Sequence, residues 1–335
     1  MLLLRGLGTY PVKKWMLFDG TTLKRLLQLH YKVGESLSLV KRARFLKDPY
    51  DRRVGEVEPL IPLAGVPWDW STAGRPGARF APSAIRTELY SLTPLSEDLG
   101  ELRWGFDDMG DIDIVGGDII ETGRRVVEAS RHVMEVAMSR GVPAIFIGGD
   151  HSITNWTSRP FVEQGASLVV LDAHYDIRKL TEGVTSGSWL RELVEATKVK
   201  ALVVGVSEYV NPPYAPSRAK ELGVDIISRV ELLKDFKSSL ERLRSLVAGS
   251  KVYLSIDMDH LAQAFAPGVN SPTPLGMTPF ESMSVIDTIA SSAKVVGIDV
   301  VEVVPGADVT GSTPRLAAAL LLRAVQRSLV SMNMK

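Results

Sequence analysis

Cysteine is absent from the 335-residue chain. That excludes disulfides, thiolate metal ligands and cysteine nucleophiles together, and it fits a cytoplasmic protein. Net charge is absent as well, since 39 Lys and Arg balance 39 Asp and Glu. Without a basic excess the chain has no electrostatic footprint for nucleic acid or for an anionic membrane surface. No apolar run approaches the roughly 20 residues of a membrane span. The start, Met1-Leu2-Leu3-Leu4-Arg5, is too short an apolar run for a signal peptide. Internal repeats and low-complexity tracts are also missing. Apolar bulk is plentiful: 45% of residues are hydrophobic, enough for a sizeable core in one large α/β domain or two smaller ones.

The apolar residues fall into short β-rich runs separated by helical patterns. Strands are expected at Leu60–Pro67, Val142–Ile147, Ala166–Leu171, Ala201–Val206, Val224–Ile227, Val252–Ile256 and Val295–Val304, with a strand or turn at Asp108–Val115. Helices are expected at Pro82–Leu89, Glu121–Arg140, Leu190–Thr197, Arg218–Leu222, Val230–Ala248, Pro279–Ser292 and Arg315–Met332. Such alternation implies a mainly parallel sheet covered by helices on both faces, an α/β/α sandwich. Residues 1–58 read as an N-terminal extension, with a possible helix over Leu23–Val40 and a basic stretch over Lys41–Arg53. The catalytic domain is expected over 59–335.

Three of the strands end in acidic residues or histidine. Val142–Ile147 leads into Gly148-Gly149-Asp150-His151, Ala166–Leu171 into Asp172-Ala173-His174-Tyr175-Asp176, and Val252–Ile256 into Asp257-Met258-Asp259. In a parallel sheet the ligand site lies at the carboxyl ends of the strands. On an extended chain alternate side chains share a face, so Asp172, His174 and Asp176 are expected to point together. The candidate metal ligands are His151, Asp172, His174, Asp176, Asp257 and Asp259. Four crowded carboxylates would take up protons unless cations balanced them, and two divalent ions would. Oxygen and imidazole donors without sulfur suit Mn²⁺, with Zn²⁺, Co²⁺ or Fe²⁺ in range. Two ions close together lower the pKa of a shared water, which predicts hydrolysis at a polar carbon. His260 adjoins Asp259 but faces the other way on an extended chain, so it reads as a non-ligand; His30 and His132 read as surface residues.

These motifs, with Ala266-Pro267-Gly268 and Gly276 downstream, resemble the three signatures of the ureohydrolase superfamily of arginases, agmatinases and formimidoylglutamases. The resemblance runs from about residue 60 to the C-terminus. It implies an arginase-like fold, two Mn²⁺ per chain and a homo-oligomer, trimer or hexamer. It implies that His151, Asp172, Asp176 and Asp257 hold one ion and Asp172, His174, Asp257 and Asp259 the other. It makes Asp176 and Glu302 the candidate catalytic residues, with Glu302 on the cationic amidine or guanidine. Val304 stands where the family usually has Asn. Arginases and agmatinases carry a catalytic histidine where this chain has Ser186. Formimidoylglutamases are similar to Ser186-Gly187-Ser188, to Asp176-Ile177-Arg178, to the Gly74–Ala78 loop and to Gly205-Val206 followed by Asn211. Arg178, Ser186 and Asn211 are therefore the candidate substrate contacts. The resemblance implies hydrolysis of N-formimidoyl-L-glutamate to L-glutamate and formamide. The alternatives are a guanidine hydrolase releasing urea and a metal-binding homologue without activity.

Overall fold

Strands that are buried on both faces need no polar alternation, and this sheet is built from such runs. The computed structural model describes residues 59–332 apart from 73, 94 and 180–184. The expected extension over 1–58, its helix included, lies outside the described residues. The main sheet comprises β1 (Leu60–Gly65), β4 (Gly105–Asp111), β5 (Ala144–Ile147), β6 (Ser167–Leu171), β7 (Ala201–Val206), β8 (Asp225–Ser228), β9 (Lys251–Asp257) and β10 (Lys294–Val301). Its order is β4-β1-β5-β10-β9-β6-β7-β8, and these neighbouring strands all pair in parallel. A two-stranded antiparallel ribbon, β2 (Leu95–Ser96) with β3 (Gly100–Glu101), stands apart. β5 and β7 are buried at every position.

Helices cover both faces. On one, α1 (Ala81–Ser91), α10 (Ser312–Ser331), α9 (Pro279–Ser292), α8 (Phe236–Val247) and α7 (Arg229–Lys234) touch in that sequence. On the other, α2 (Ile119–Arg140), α3 (Thr154–Thr157), α4 (Arg159–Glu163), α5 (Trp189–Thr197) and α6 (Ala215–Leu222) form the second layer. The result is the α/β/α sandwich expected from the sequence. The helix ends follow local chemistry. Asp118 caps α2 by accepting from the Ile120 and Glu121 amides, and Gly141 closes it in the left-handed region. Thr278 and Glu281 form a reciprocal capping box at α9, with Pro279 in the first turn.

Two expectations are corrected. The continuous helix over Val230–Ala248 is two helices, because Asp235 adopts an extended backbone and its side chain accepts from the Ser238 amide, starting α8 afresh. The last strand ends at Val301 rather than Val304, because Glu302 turns into the left-handed region at φ 64°. Among the described residues no helix is long and apolar enough to cross a membrane.

Candidate metal centre

The donors sit at the carboxyl ends of β5, β9 and β6, and Glu302 follows β10; these four strands are neighbours at the centre of the sheet. After β5, Gly148 and Gly149 lead into a single 3-10 turn that begins at His151. Gly149 passes so close to Trp68 that a Cβ would lie 1.6 Å from the Trp68 carbonyl oxygen, so only glycine fits there. Asp150 anchors the turn, accepting from the Ser152 amide at 3.0 Å and from the Ser71 amide at 3.0 Å. Its carboxyl is wholly buried, and burial pushes it up to about 7.

The convergence expected from strand alternation is present, but it arises another way. β6 stops at Leu171. The segment beyond it turns: the His174 amide donates to Asp172 at 2.6 Å, and Asp176 is left-handed at φ 50°. Asp257 ends β9 and accepts from the Asp259 amide at 2.8 Å, folding Met258–His260 into a 3-10 turn. Loop geometry, and not the pleat, brings the carboxylates together.

His151 Nδ1 lies 3.2 Å from Asp172, 3.0 Å from Asp176 and 2.8 Å from Asp257. His174 Nδ1 lies 3.3 Å from Asp172 and 3.0 Å from Asp259. Two donor groups result, His151–Asp172–Asp176 and Asp172–His174–Asp259, each with its donor atoms within 4.8 Å of one another and with Asp172 in common. Burial, reinforced by the charges of Asp176 and Asp259, pushes the Asp172 carboxyl up to about 6. Burial and the same crowding raise Asp257 well above the carboxylate range. For both histidines burial opposes the charged form, but the facing carboxylates outweigh it and raise them. Asp259 is held low: burial raises it, and the His174 charge more than offsets that. His151 Nδ1 and Asp172 Oδ2 are buried with no aligned hydrogen-bond partner. Unpartnered inward donors, excess negative charge and an all-oxygen-and-imidazole set fit a pair of divalent cations.

The outer nitrogen of His151 meets the Ser255 hydroxyl at 3.0 Å. Ser255 Oγ lies 3.3 Å from the Thr154 hydroxyl, and Thr154 donates to the buried Asp299 at 2.9 Å; Asp299 also accepts from Thr157 at 3.0 Å and Tyr253 at 2.9 Å. Thr154 directs its proton to Asp299, so Ser255 donates to the Thr154 oxygen and is left to accept from His151 Nε2–H. That leaves Nδ1 bare toward the carboxylates. Nothing in the sequence reading singled out Ser255 or Asp299. The available signal was a polar pair at matched register inside two apolar strands.

Over this floor lies a cavity of about 160 Å³, lined by His174, Asp176, Asp257, Asp259 and Glu302 below and by Arg178, Ser186, Asn270 and Ser271 above. Glu302 Oε1 accepts from the His151 amide at 2.7 Å, and Oε2 is buried without a hydrogen-bond partner. Burial, with Asp150 nearby, raises its carboxyl well above the usual range. Ser186 is buried and ties its amide to the Ser71 carbonyl at 2.9 Å. Arg178 is exposed at the mouth. Asn211, expected to contact substrate, is placed elsewhere. Its amide donates to the Ala173 and Ser207 carbonyls at 2.9 and 3.1 Å and accepts from the Tyr175 amide at 3.1 Å. That commits it to bracing the Asp172–Asp176 loop from behind. Asn270, which the sequence reading passed over, bonds Thr72 at 2.7 Å and the Arg75 amide, roofing the cavity with the Gly74 loop. His260 is buried and bonded to the Asp257 carbonyl and to Ser282, facing away from the donor groups.

Comparison with known proteins gives the family. The arginase family model matches residues 60–326. A formimidoylglutamase of Halobacterium salinarum is 33% identical over 288 residues, covering 81% of this chain and 92% of that protein. A mitochondrial agmatinase of Gallus gallus is 30% identical over 274 residues, covering 77% and 78%. The crystal structure of formimidoylglutamase from Bacillus subtilis superposes with a TM-score of 0.73 at 26% identity, covering 92% of this chain and 99% of that one. On the strength of that match and of the loops that carry its motifs, the chain belongs to the arginase family.

Proposed function

We propose that the chain is a dinuclear-metal hydrolase of linear amidines whose substrate is N-formimidoyl-L-glutamate. His151, Asp172, Asp176 and Asp257 would hold one ion and Asp172, His174, Asp257 and Asp259 the other, Mn²⁺ being the metal this donor set suits best. Bound there, the ions would supply water of lowered pKa as the nucleophile. Glu302 Oε2, unpartnered beside the donors, binds the amidinium and fixes the carbon to be attacked. Asp176 orients the attacking water from the cavity floor. The C–N bond to the glutamate nitrogen breaks, and that nitrogen leaves with a proton. Ser186 titrates too high to store the proton but its hydroxyl can pass one from water.

The observation that carries the substrate is Arg178, a guanidinium at the mouth of a cavity whose floor binds a cation. Glutamate offers it two carboxylates, whereas agmatine would present a second cation. Gly187 makes room for it, since a Cβ there would sit 3.1 Å from the Arg178 side chain. The match to formimidoylglutamases supports the same reading, and the agmatinase relative favours guanidine hydrolysis as the second. Residues 59–335 are taken as the catalytic unit, with 1–58 as an extension. A trimer or hexamer in the cytoplasm belongs to the same proposal.

The deciding experiment is a product assay with Mn²⁺-loaded protein across formimidoylglutamate, agmatine, arginine and guanidinobutyrate. Formamide from the first is expected; urea from the others with the first untouched would refute the substrate. Arg178→Ala should raise KM for formimidoylglutamate more than it lowers kcat, because a remote carboxylate is bound alike in ground and transition states. A fall confined to kcat would remove Arg178 from substrate binding.

A further inference from the structure

Trp189 opens α5 and is wholly buried. Its only polar atom, Nε1–H, donates to Asp176 Oδ2 at 2.6 Å. That same oxygen lies 3.0 Å from His151 Nδ1. The indole ring packs against the His151 imidazole, centroids 4.7 Å apart at 44°. One side chain therefore touches two of the proposed ligands, and both belong to the same donor group. Among the described residues the other group has no aromatic side chain bonded to it in this way: His174 is 14% exposed, with the Ser271 hydroxyl 3.4 Å from its outer nitrogen.

Asp176 needs outside support. A non-glycine residue in the left-handed region persists only where its surroundings over-determine it. The first turn of α5 provides that. The Arg191 amide reaches the Asp176 carbonyl at 3.4 Å while the Trp189 indole holds the carboxylate. The turn itself is fixed by Thr185 and Ser188, whose amide and hydroxyl bond at 2.8 Å.

We infer that Trp189 is a positioning residue for the His151–Asp176 half of the site alone, orienting the carboxylate through its N–H and the imidazole through its ring face. The inference rests on the metal-binding reading above. It makes the two metal positions separable by one substitution outside the ligand set.

The test is calorimetric titration of the full chain, stripped of metal, with Mn²⁺. The wild type is expected to bind two ions. Trp189→Phe, which keeps an aromatic ring and loses the donor, should weaken one of them by roughly 10–100-fold, the usual cost of losing a ligand's supporting partner. The other should be unchanged. If Trp189→Phe does not fold, the benzothiophene analogue of tryptophan at 189 keeps the shape and replaces only the N–H. Equal weakening of both ions, or no weakening of either, overturns the inference. A wild type that binds no Mn²⁺ overturns the metal-site reading itself, which the comparison of variants would not be needed to show.

Discussion

Glu302→Gln should leave metal content and fold intact and abolish turnover. The substitution keeps the Oε1 acceptor that holds the His151 amide at 2.7 Å, so the loop after β5 stays in place. What changes is Oε2, the buried oxygen with no hydrogen-bond partner. An amide NH₂ there presents protons to the protons of an amidinium, and the cation enters a buried site without its counter-charge. Breaking a buried ion pair from one side costs about 3–5 kcal/mol, a loss of roughly 150- to 5,000-fold in kcat/KM. Steady-state kinetics with Mn²⁺ quantified in the same sample decides it. Wild-type kcat/KM in the variant would take Glu302 out of the substrate site.

Asp172→Asn should reach further, because Asp172 belongs to both donor groups. Both Mn²⁺ affinities should fall by more than the roughly 10–100-fold that losing a supporting partner costs, whereas Asp259→Ala should weaken only the ion shared with His174. Two ions bound with wild-type affinity by Asp172→Asn would refute the shared-ligand arrangement. Without metal the sign reverses. Burial and the neighbouring carboxylates hold the Asp172 carboxyl at about 6, above the unfolded value of about 3.9. A carboxyl raised on folding contributes stability while protonated, and that contribution is lost as pH rises through about 6. Raised His151 and His174 act in the same direction. Metal-free wild type should therefore melt at a lower temperature at pH 8 than at pH 5, and metal-free Asp172→Asn should be the more stable of the two proteins at pH 8. Thermal unfolding in the presence of chelator measures both.

The sheet was legible because parallel strands covered on both faces must be apolar throughout, and β5, β7 and β9 announce themselves that way. The donor residues were legible because acidic residues and histidine ending such runs have no packing role. How the donors meet was not. Period-2 alternation holds only while the ladder lasts, and it stops at Leu171, so the left-handed Asp176 and the turn at Met258–His260 carry no pattern to read. Asn211 looked like a substrate contact because Gly205-Val206 followed by Asn211 resembles formimidoylglutamases; its amide goes to three backbone groups that only the fold brings near. Asp235 is a polar residue in an amphipathic stretch until its side chain is seen to cap α8. Ser255, Asp299 and Trp189 support the site through partners distant in sequence.

The strand order has a kinetic consequence. His151 and Glu302 meet across 151 residues, and the loops that hold the remaining donors come from strands that pair only after long crossovers. Contacts of that sequence separation form late, after the loop-closure entropy has been met. Metal would then find no site in the early folding ensemble. A ligand whose site is absent from the transition state slows unfolding and leaves the folding rate alone. Stopped-flow refolding should run at the same rate with and without Mn²⁺, while the unfolding arm of the chevron should drop when the ion is present.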